Sequence, residues 1–206
     1  MAENPNKLNQ GKLAVAVCGL PGSFSEVAAR EYTTQSGAEY ELRYCATAAE
    51  VVAAMRDQDA RDGGAALGVA PVENSVVGKV GEAEAIPDDA KHVQVVTIPV
   101  RHQLLVRPGT AFGSIRRVVS HEQALAQCAT FLREKLPQAE QVPYPDTAQA
   151  AKDLAAGKLE PTDAAIASER AAQEYGLEVV REHVQDDPEN RTRFLVFALS
   201  DRPAGA

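Results

Sequence analysis

Two hydrophobic rhythms alternate along the chain between residues 13 and 199. Short runs rich in β-branched and apolar residues recur at Leu13–Cys18, Tyr40–Tyr44, Ala66–Ala70, Val93–Val100, Leu104–Arg107, Val118–Val119, Gln141–Tyr144, Ala164–Ala167, Leu177–Val184 and Phe194–Leu199. Each is read as a strand. Alanine-rich stretches with helical spacing lie between them. Ser23–Gln35 is closed by Gly37, Thr147–Ala156 by Gly157 and Glu169–Tyr175 by Gly176. Thr47–Asp57 and His121–Leu136 complete the set, the latter with an apolar stripe at Leu125, Cys128, Leu132 and Leu136. Pro71–Gly81 is read as a loop, and residues 1–11 and 201–206 as flexible tails. Strands alternating with helices predict an α/β fold with mixed or mostly parallel sheets flanked by helices.

The predicted helix starts add chemistry. Ser23–Glu26, Thr47–Glu50 and Ser120–Gln123 fit the capping box, and Asp146–Gln149 is a version with Asp as cap. Ser23, Ser120 and Thr147 each follow a strand closely, and helix starts beyond strand ends line the ligand crevice of open α/β sheets. Their free amides suit anions. A small anionic ligand held by hydroxyls and amides is therefore expected.

Composition narrows the class. The 206 residues carry 21 basic and 29 acidic side chains, a net charge of −8, which opposes nucleic acid as a main partner. No apolar run approaches the ~20 residues of a membrane span, and residues 1–11 lack a hydrophobic signal core, so a cytoplasmic protein is expected. Cys18, Cys45 and Cys128 are odd in number and scattered, without metal-ligand spacing, as are the four histidines. Nucleotide-binding glycine motifs and the G-x-S-x-G elbow are missing.

Polar residues concentrate at two further places. Glu73-Asn74-Ser75 follows a predicted strand and the stiff Pro71-Val72 link, with Gly78 just after. Arg191-Thr192-Arg193-Phe194 opens the last strand after the acidic turn 186–190, which is read as solvated. Period-2 alternation sends Thr192 and Phe194 to one face and Arg191 and Arg193 to the other. Gln127 lies two helical turns beyond Ser120, near the same face.

Six separated blocks, in order, resemble those of prephenate dehydratases over residues 13–199. They are Gly19–Glu26, Val69–Ser75 with Gly78, Ser120–Cys128, Asp146–Ala151, Ala164–Ser168 with Tyr175–Leu177, and Asn190 with Thr192–Phe194. The resemblance implies two lobes like those of type II periplasmic binding proteins, with the site in the cleft. Lobe 1 would comprise residues 12–97 plus 190–200, and lobe 2 residues 98–189. It implies a cofactor-free, metal-free lyase of phenylalanine biosynthesis, a homodimer, converting dianionic prephenate to phenylpyruvate. Thr192 would be the catalytic threonine, with Asn74, Ser75 and Gln127 orienting and Glu73 a proton shuttle or a loop support. Ser23, Gly22, Ser120, Thr147, Arg193 and Phe194 would bind substrate. Three departures stand out. Gly81–Pro87 lacks the usual threonine-containing helical run, Leu20 replaces a proline, and Arg101 replaces a histidine before His102. The usual phenylalanine-sensing ACT domain has no counterpart, so insensitivity to phenylalanine through such a domain is expected. Arogenate (the 2-amino analogue of prephenate), a decarboxylation that spares the C4 hydroxyl, and a non-catalytic two-lobed anion binder stay open at this level.

Overall fold

The computed structural model describes residues 13–37, 39–56 and 65–200; the predicted tails and the helix end at Asp57 lie outside them. In chain order the elements are β1 (Leu13–Cys18), α1 (Phe24–Ser36), β2 (Tyr40–Cys45), α2 (Ala48–Arg56), β3 (Ala65–Asn74), β4 (Gly78–Lys79) and β5 (Lys91–Pro99). There follow β6 (Gln103–Val106), β7 (Arg117–Ser120), α3 (Glu122–Gln127), α4 (Ala129–Lys135), β8 (Glu140–Pro143) and α5 (Thr147–Ala155). The chain closes with β9 (Asp163–Ala167), α6 (Glu169–Tyr175), β10 (Glu178–Arg181) and β11 (Arg191–Ala198).

These strands form two sheets. The first runs β2-β1-β3-β11-β5, with β4 on β3, and the second β10-β6-β9-β7-β8. Both are mixed. β1 pairs in parallel with β2 and β3, whereas β11 runs antiparallel to β3 and β5. In the second sheet β7 is parallel to β8 and β9, and β6 is antiparallel to β9 and β10. The chain changes sheet between Pro99 and Gln103 and returns between Arg181 and Arg191.

Central strands are apolar on both faces because both are covered. In β1, Ala14, Ala16 and Cys18 pack with α2, while Val15 and Val17 face the cluster that includes Ala28 and Ala29 of α1. The second sheet divides in the same way. Leu104, Val118 and Ile166 pack with Leu125 and Leu132, and Leu105, Val119 and Ala165 pack with α5 and α6.

Two expected elements differ from the structure. The segment read as one helix, His121–Leu136, is broken at Cys128, whose φ of −116° and ψ of 17° leave the helical range. The Asp186 backbone amide donates to the Gln127 carbonyl at 2.7 Å, and its carboxylate accepts from the Thr130 amide at 3.1 Å. This acidic turn is exposed at 186–189, as expected, and also holds the start of α4. The predicted loop from Pro71 is instead the continuation of β3 into a hairpin with β4. Pro71 is tolerated because the ladder with β11 shifts there: Phe194 pairs with Pro71 and Arg193 with Glu73, so Val72 is an extra residue at the bulge.

The β1–α1 loop of the first sheet is clasped by α6 of the second. Ser168 Oγ donates to the Gly22 carbonyl at 2.5 Å, and Tyr175 OH to the Pro21 carbonyl at 2.6 Å. Arg170 Nε meets Glu26 Oε1 at 2.9 Å. Glu26 is fully buried. Burial alone would raise its carboxyl pKa, but the Gly22 amide, Arg30 and Arg170 together hold it below its ordinary value. Gly22 has φ +85°, and a Cβ there would lie 2.8 Å from Ala171 Cα. Gly22→Ala is expected to cost about 2 kcal/mol or more, through backbone strain and loss of this close approach. Urea denaturation measures this, and an unchanged midpoint would contradict it.

Candidate active site

Between the sheets lies a cavity of about 700 Å³ lined from both sides. The first sheet contributes the end of β1 and the start of α1 (Cys18, Ser23, Phe24, Ser25), the end of β3 (Pro71, Asn74), Glu82, and Thr192 and Phe194 of β11. The second contributes His102, His121, Gln123 and Gln127, and the start of α5 (Asp146, Thr147, Gln149).

Asn74 is 6% exposed and every part of its amide is used. Its Nδ2 donates to Asn190 Oδ1 at 2.8 Å, to Thr192 Oγ1 at 2.9 Å and to the Arg191 carbonyl at 3.1 Å. Its Oδ1 accepts from the Val76 and Val77 amides at 3.0 and 3.2 Å. The ladder makes this possible, because Thr192 and Asn74 face each other directly across β11 and β3. Thr192 thus accepts from Asn74, and its own proton is left to donate towards the cavity it lines.

The opposite wall carries a second polar pair. His102 Nε2 lies 3.0 Å from Gln127 Oε1. An amide oxygen only accepts, so Nε2 bears the proton and Nδ1 is a lone-pair acceptor. That Nδ1 is buried without a partner among the described residues. Burial pushes the imidazole pKa down and outweighs the opposing hydrogen bond from Gln127, so the ring is neutral. The Phe24 ring packs against His102 in an edge-to-face contact at 5.6 Å.

Two helix starts face each other across the cavity. Ser23 Oγ accepts from the Glu26 amide at 3.2 Å, and Asp146 Oδ1 accepts from the Gln149 amide at 2.9 Å. Each cap satisfies one first-turn amide and leaves others for a ligand. Near the end of β1, Glu82 Oε2 accepts from the Ala48 amide at 2.6 Å, with the Cys18 thiol at 3.7 Å. That thiol is pushed up to about 12 by burial and then by Glu82, Cys45 and Asp146 around it. Among the described residues, no group of three or more His, Cys, Asp or Glu side chains is arranged to hold a metal ion.

Of the residues singled out from the sequence, the structure brings Ser23, Asn74, Gln127, Thr147, Thr192 and Phe194 to the cavity. The other five do not line it, and each has a physical reason. Ser120 does not cap α3. It ends β7 fully buried, with its Oγ donating to the Ile166 carbonyl of β9 at 2.6 Å, and His121 Nδ1 caps α3 by accepting the Gln123 amide at 3.2 Å. Ser75 is exposed and its Oγ accepts the Arg191 amide at 2.9 Å, stitching β3 to β11. Glu73 and Arg193 pair at 2.5 Å and border a separate hollow of about 280 Å³. The alternation that aims Thr192 inward turns Arg193 away. Gly22 serves the clasp on α6. His102, Glu82, His121, Gln123 and Asp146 were not among the expected site residues. Asp146, as a helix cap, and His121 and Gln123, inside the Ser120–Gln123 capping box, left a trace in local sequence.

The structure defines an α/β protein of two mixed sheets flanked by helices, with a polar cavity between the sheets. The prephenate dehydratase family model matches residues 15–202, so the chain belongs to the prephenate dehydratase family. It is 38% identical to arogenate dehydratase 5, chloroplastic, of Arabidopsis thaliana, over 97% of this chain and 47% of that protein. It is 34% identical to the prephenate dehydratase of Mycolicibacterium vanbaalenii, over 92% of this chain and 62% of that one. The crystal structure of prephenate dehydratase from Arthrobacter aurescens, in complex with L-Phe, superposes with a TM-score of 0.79 at 27% identity, covering 94% of this chain and 63% of that chain. The chain thus spans under two thirds of the length of these relatives.

The neutral buried imidazole has a measurable consequence. The folded pKa of His102 lies below its ordinary 6.5, so its share of stability is complete above pH 6.5 and is lost as pH falls below that value. Imidazole ¹⁵N shifts should report an Nε2–H tautomer that persists below pH 6.5; ordinary titration of this ring would contradict the assignment.

Proposed function

We propose that this cleft converts prephenate to phenylpyruvate, a cofactor-free carbon–oxygen lyase step of phenylalanine biosynthesis. The observation that carries this reading is the Asn74–Thr192 hydrogen bond, 2.9 Å long, at the wall of a cavity with helix starts on both sides. The C1–carboxylate bond breaks and carbon dioxide leaves. Its electron pair completes the aromatic ring while the C4–oxygen bond breaks, and the departing hydroxide takes up a proton to become water. Aliphatic hydroxyls are too weak as acids to transfer that proton outright. Thr192 acts as a fixed donor to the C4 oxygen, where negative charge develops in the transition state.

The remaining roles follow from placement. The starts of α1, with Ser23, and of α5, with Thr147, offer amides to the two carboxylates. Gln127, held through its oxygen by His102, directs its amide protons to the substrate. Phe194 supplies an apolar wall. The part of the chain that builds the first sheet, through Pro99 and again from Arg191, acts as one lobe and the part that builds the second sheet as the other, so the expected boundary at 97/98 moves past Pro99. Binding between the two lobes excludes water from the reacting ring. Free Cys18, Cys45 and Cys128 suit a reducing compartment such as the cytoplasm. A homodimer is proposed with them: β5 is an edge strand of the first sheet among the described residues, with Val93 and Val95 exposed.

Phenylpyruvate formation from prephenate tests the reading. Thr192→Ala is expected to lower kcat by about 10²–10³-fold, the scale of losing one transition-state donor, with much less effect on KM. Thr192→Ser should retain more activity than Thr192→Ala. Full turnover by Thr192→Ala would contradict the role, and tight prephenate binding without product would favour a non-catalytic binder.

A further inference from the structure

The clasp between the two sheets reaches the cleft through one carboxylate. Among the described residues, Arg170–Glu26 is the ion pair that joins α1, packed on the first sheet, to α6, packed on the second. Glu26 Oε1 receives Arg170 Nε at 2.9 Å and Arg30 Nε at 2.5 Å. Its Oε2 accepts the Gly22 amide at 2.6 Å, and its own amide donates to Ser23 Oγ at 3.2 Å. Ser23 lines the cleft, so this fully buried carboxylate holds the loop and the cap from which the α1 wall is built.

The other end of the link leads to the opposite wall. Ala171 and Ala172 of α6 share a buried cluster with Ala150, Ala151 and Leu154 of α5. The start of α5, with Thr147, lines the same cleft. A packed and hydrogen-bonded path therefore runs from Ser23 through Glu26, Arg170 and α6 to α5. Arg170 is itself aimed by a bond from Nη2 to Glu174 Oε2 at 2.5 Å. Arg30 does not duplicate it. It belongs to α1, one turn on from Glu26 and half exposed, and offsets the buried charge without joining the two halves.

We infer that Arg170 is a positioning residue of the cleft: acting through Glu26, it sets the start of α1 against the start of α5 at the spacing that receives a substrate with two carboxylates. This rests on the reading of the cleft as a dehydratase site. Truncating Arg170 leaves Glu26 paired with Arg30 and the Gly22 amide, so the chain still folds while the spacing loosens. A ligand held at both walls then loses affinity because its two anchor points are no longer preorganised, whereas a ligand held at one wall does not.

Prephenate carries two carboxylates and phenylpyruvate one, so the pair separates spacing from general loosening. In Arg170→Gln, KM for prephenate should rise about tenfold with kcat changed by less than about twofold, and the inhibition constant of phenylpyruvate should move by less than about twofold. Arg170→Lys, which keeps the charge without the planar fork, should recover part of the loss. Arg30→Gln, which removes only the intrahelical partner, should leave KM within about twofold of wild type. An unchanged prephenate KM in Arg170→Gln, or equal weakening of prephenate and phenylpyruvate, would overturn the inference. If the wild-type chain binds prephenate without turning it over, the dehydratase reading fails, and the dissociation constants of the two ligands decide Arg170 by the same comparison. A chain that binds neither overturns both.

Discussion

A single carboxamide joins the parts of this cleft. Asn74 donates to Asn190, to the Arg191 backbone and to Thr192, and accepts from the hairpin amides of Val76 and Val77. Those segments are the end of β3, the hairpin beyond it and the point where the chain re-enters the first sheet. The group is buried, and its bonds to Asn190 and Thr192 are buried with it, where water competes least. The same bonds fix which way the Thr192 hydroxyl can donate. The orientation of Thr192 and the connection of the chain are therefore one problem, met by one residue.

The register on which this depends is set by the bulge at Val72. Without the shift in the ladder, Asn74 would not stand opposite Thr192. The return crossing is secured in the same economical way: the Asp186 turn holds the end of α3 and the start of α4, and the Val100 amide donates to the Asn190 carbonyl at 2.8 Å. On the other side of the cleft, the Gly22 loop is clasped to α6. Both lobes are thus tied near the site and not only at distant surfaces.

Much of this architecture was legible from local pattern. The strand and helix rhythm located nearly every element, and alternation along β11 correctly separated Thr192 and Phe194 from Arg193. Local pattern failed where a side chain's partner is remote in sequence. Ser120 reads as a helix cap, yet its hydroxyl is taken by a carbonyl 46 residues away. Ser75 and Glu73 find partners 116 and 120 residues on, across the β3–β11 ladder. The break at Cys128 depends on the turn at Asp186, which no periodicity in α3 or α4 records. His102 and Glu82 carry no motif of their own; only the juxtaposition of two lobes gives their acceptors meaning.

A double-mutant cycle between Asn74 and Thr192 addresses the central claim most directly, with kcat/KM for prephenate as the readout for Asn74→Ala, Thr192→Val and the double variant. If Asn74 acts by orienting the Thr192 hydroxyl, the double variant should be about as active as Thr192→Val alone, a coupling of about 2 kcal/mol or more. Two losses that simply multiply would contradict it, because Asn74 and Thr192 would then serve the reaction independently.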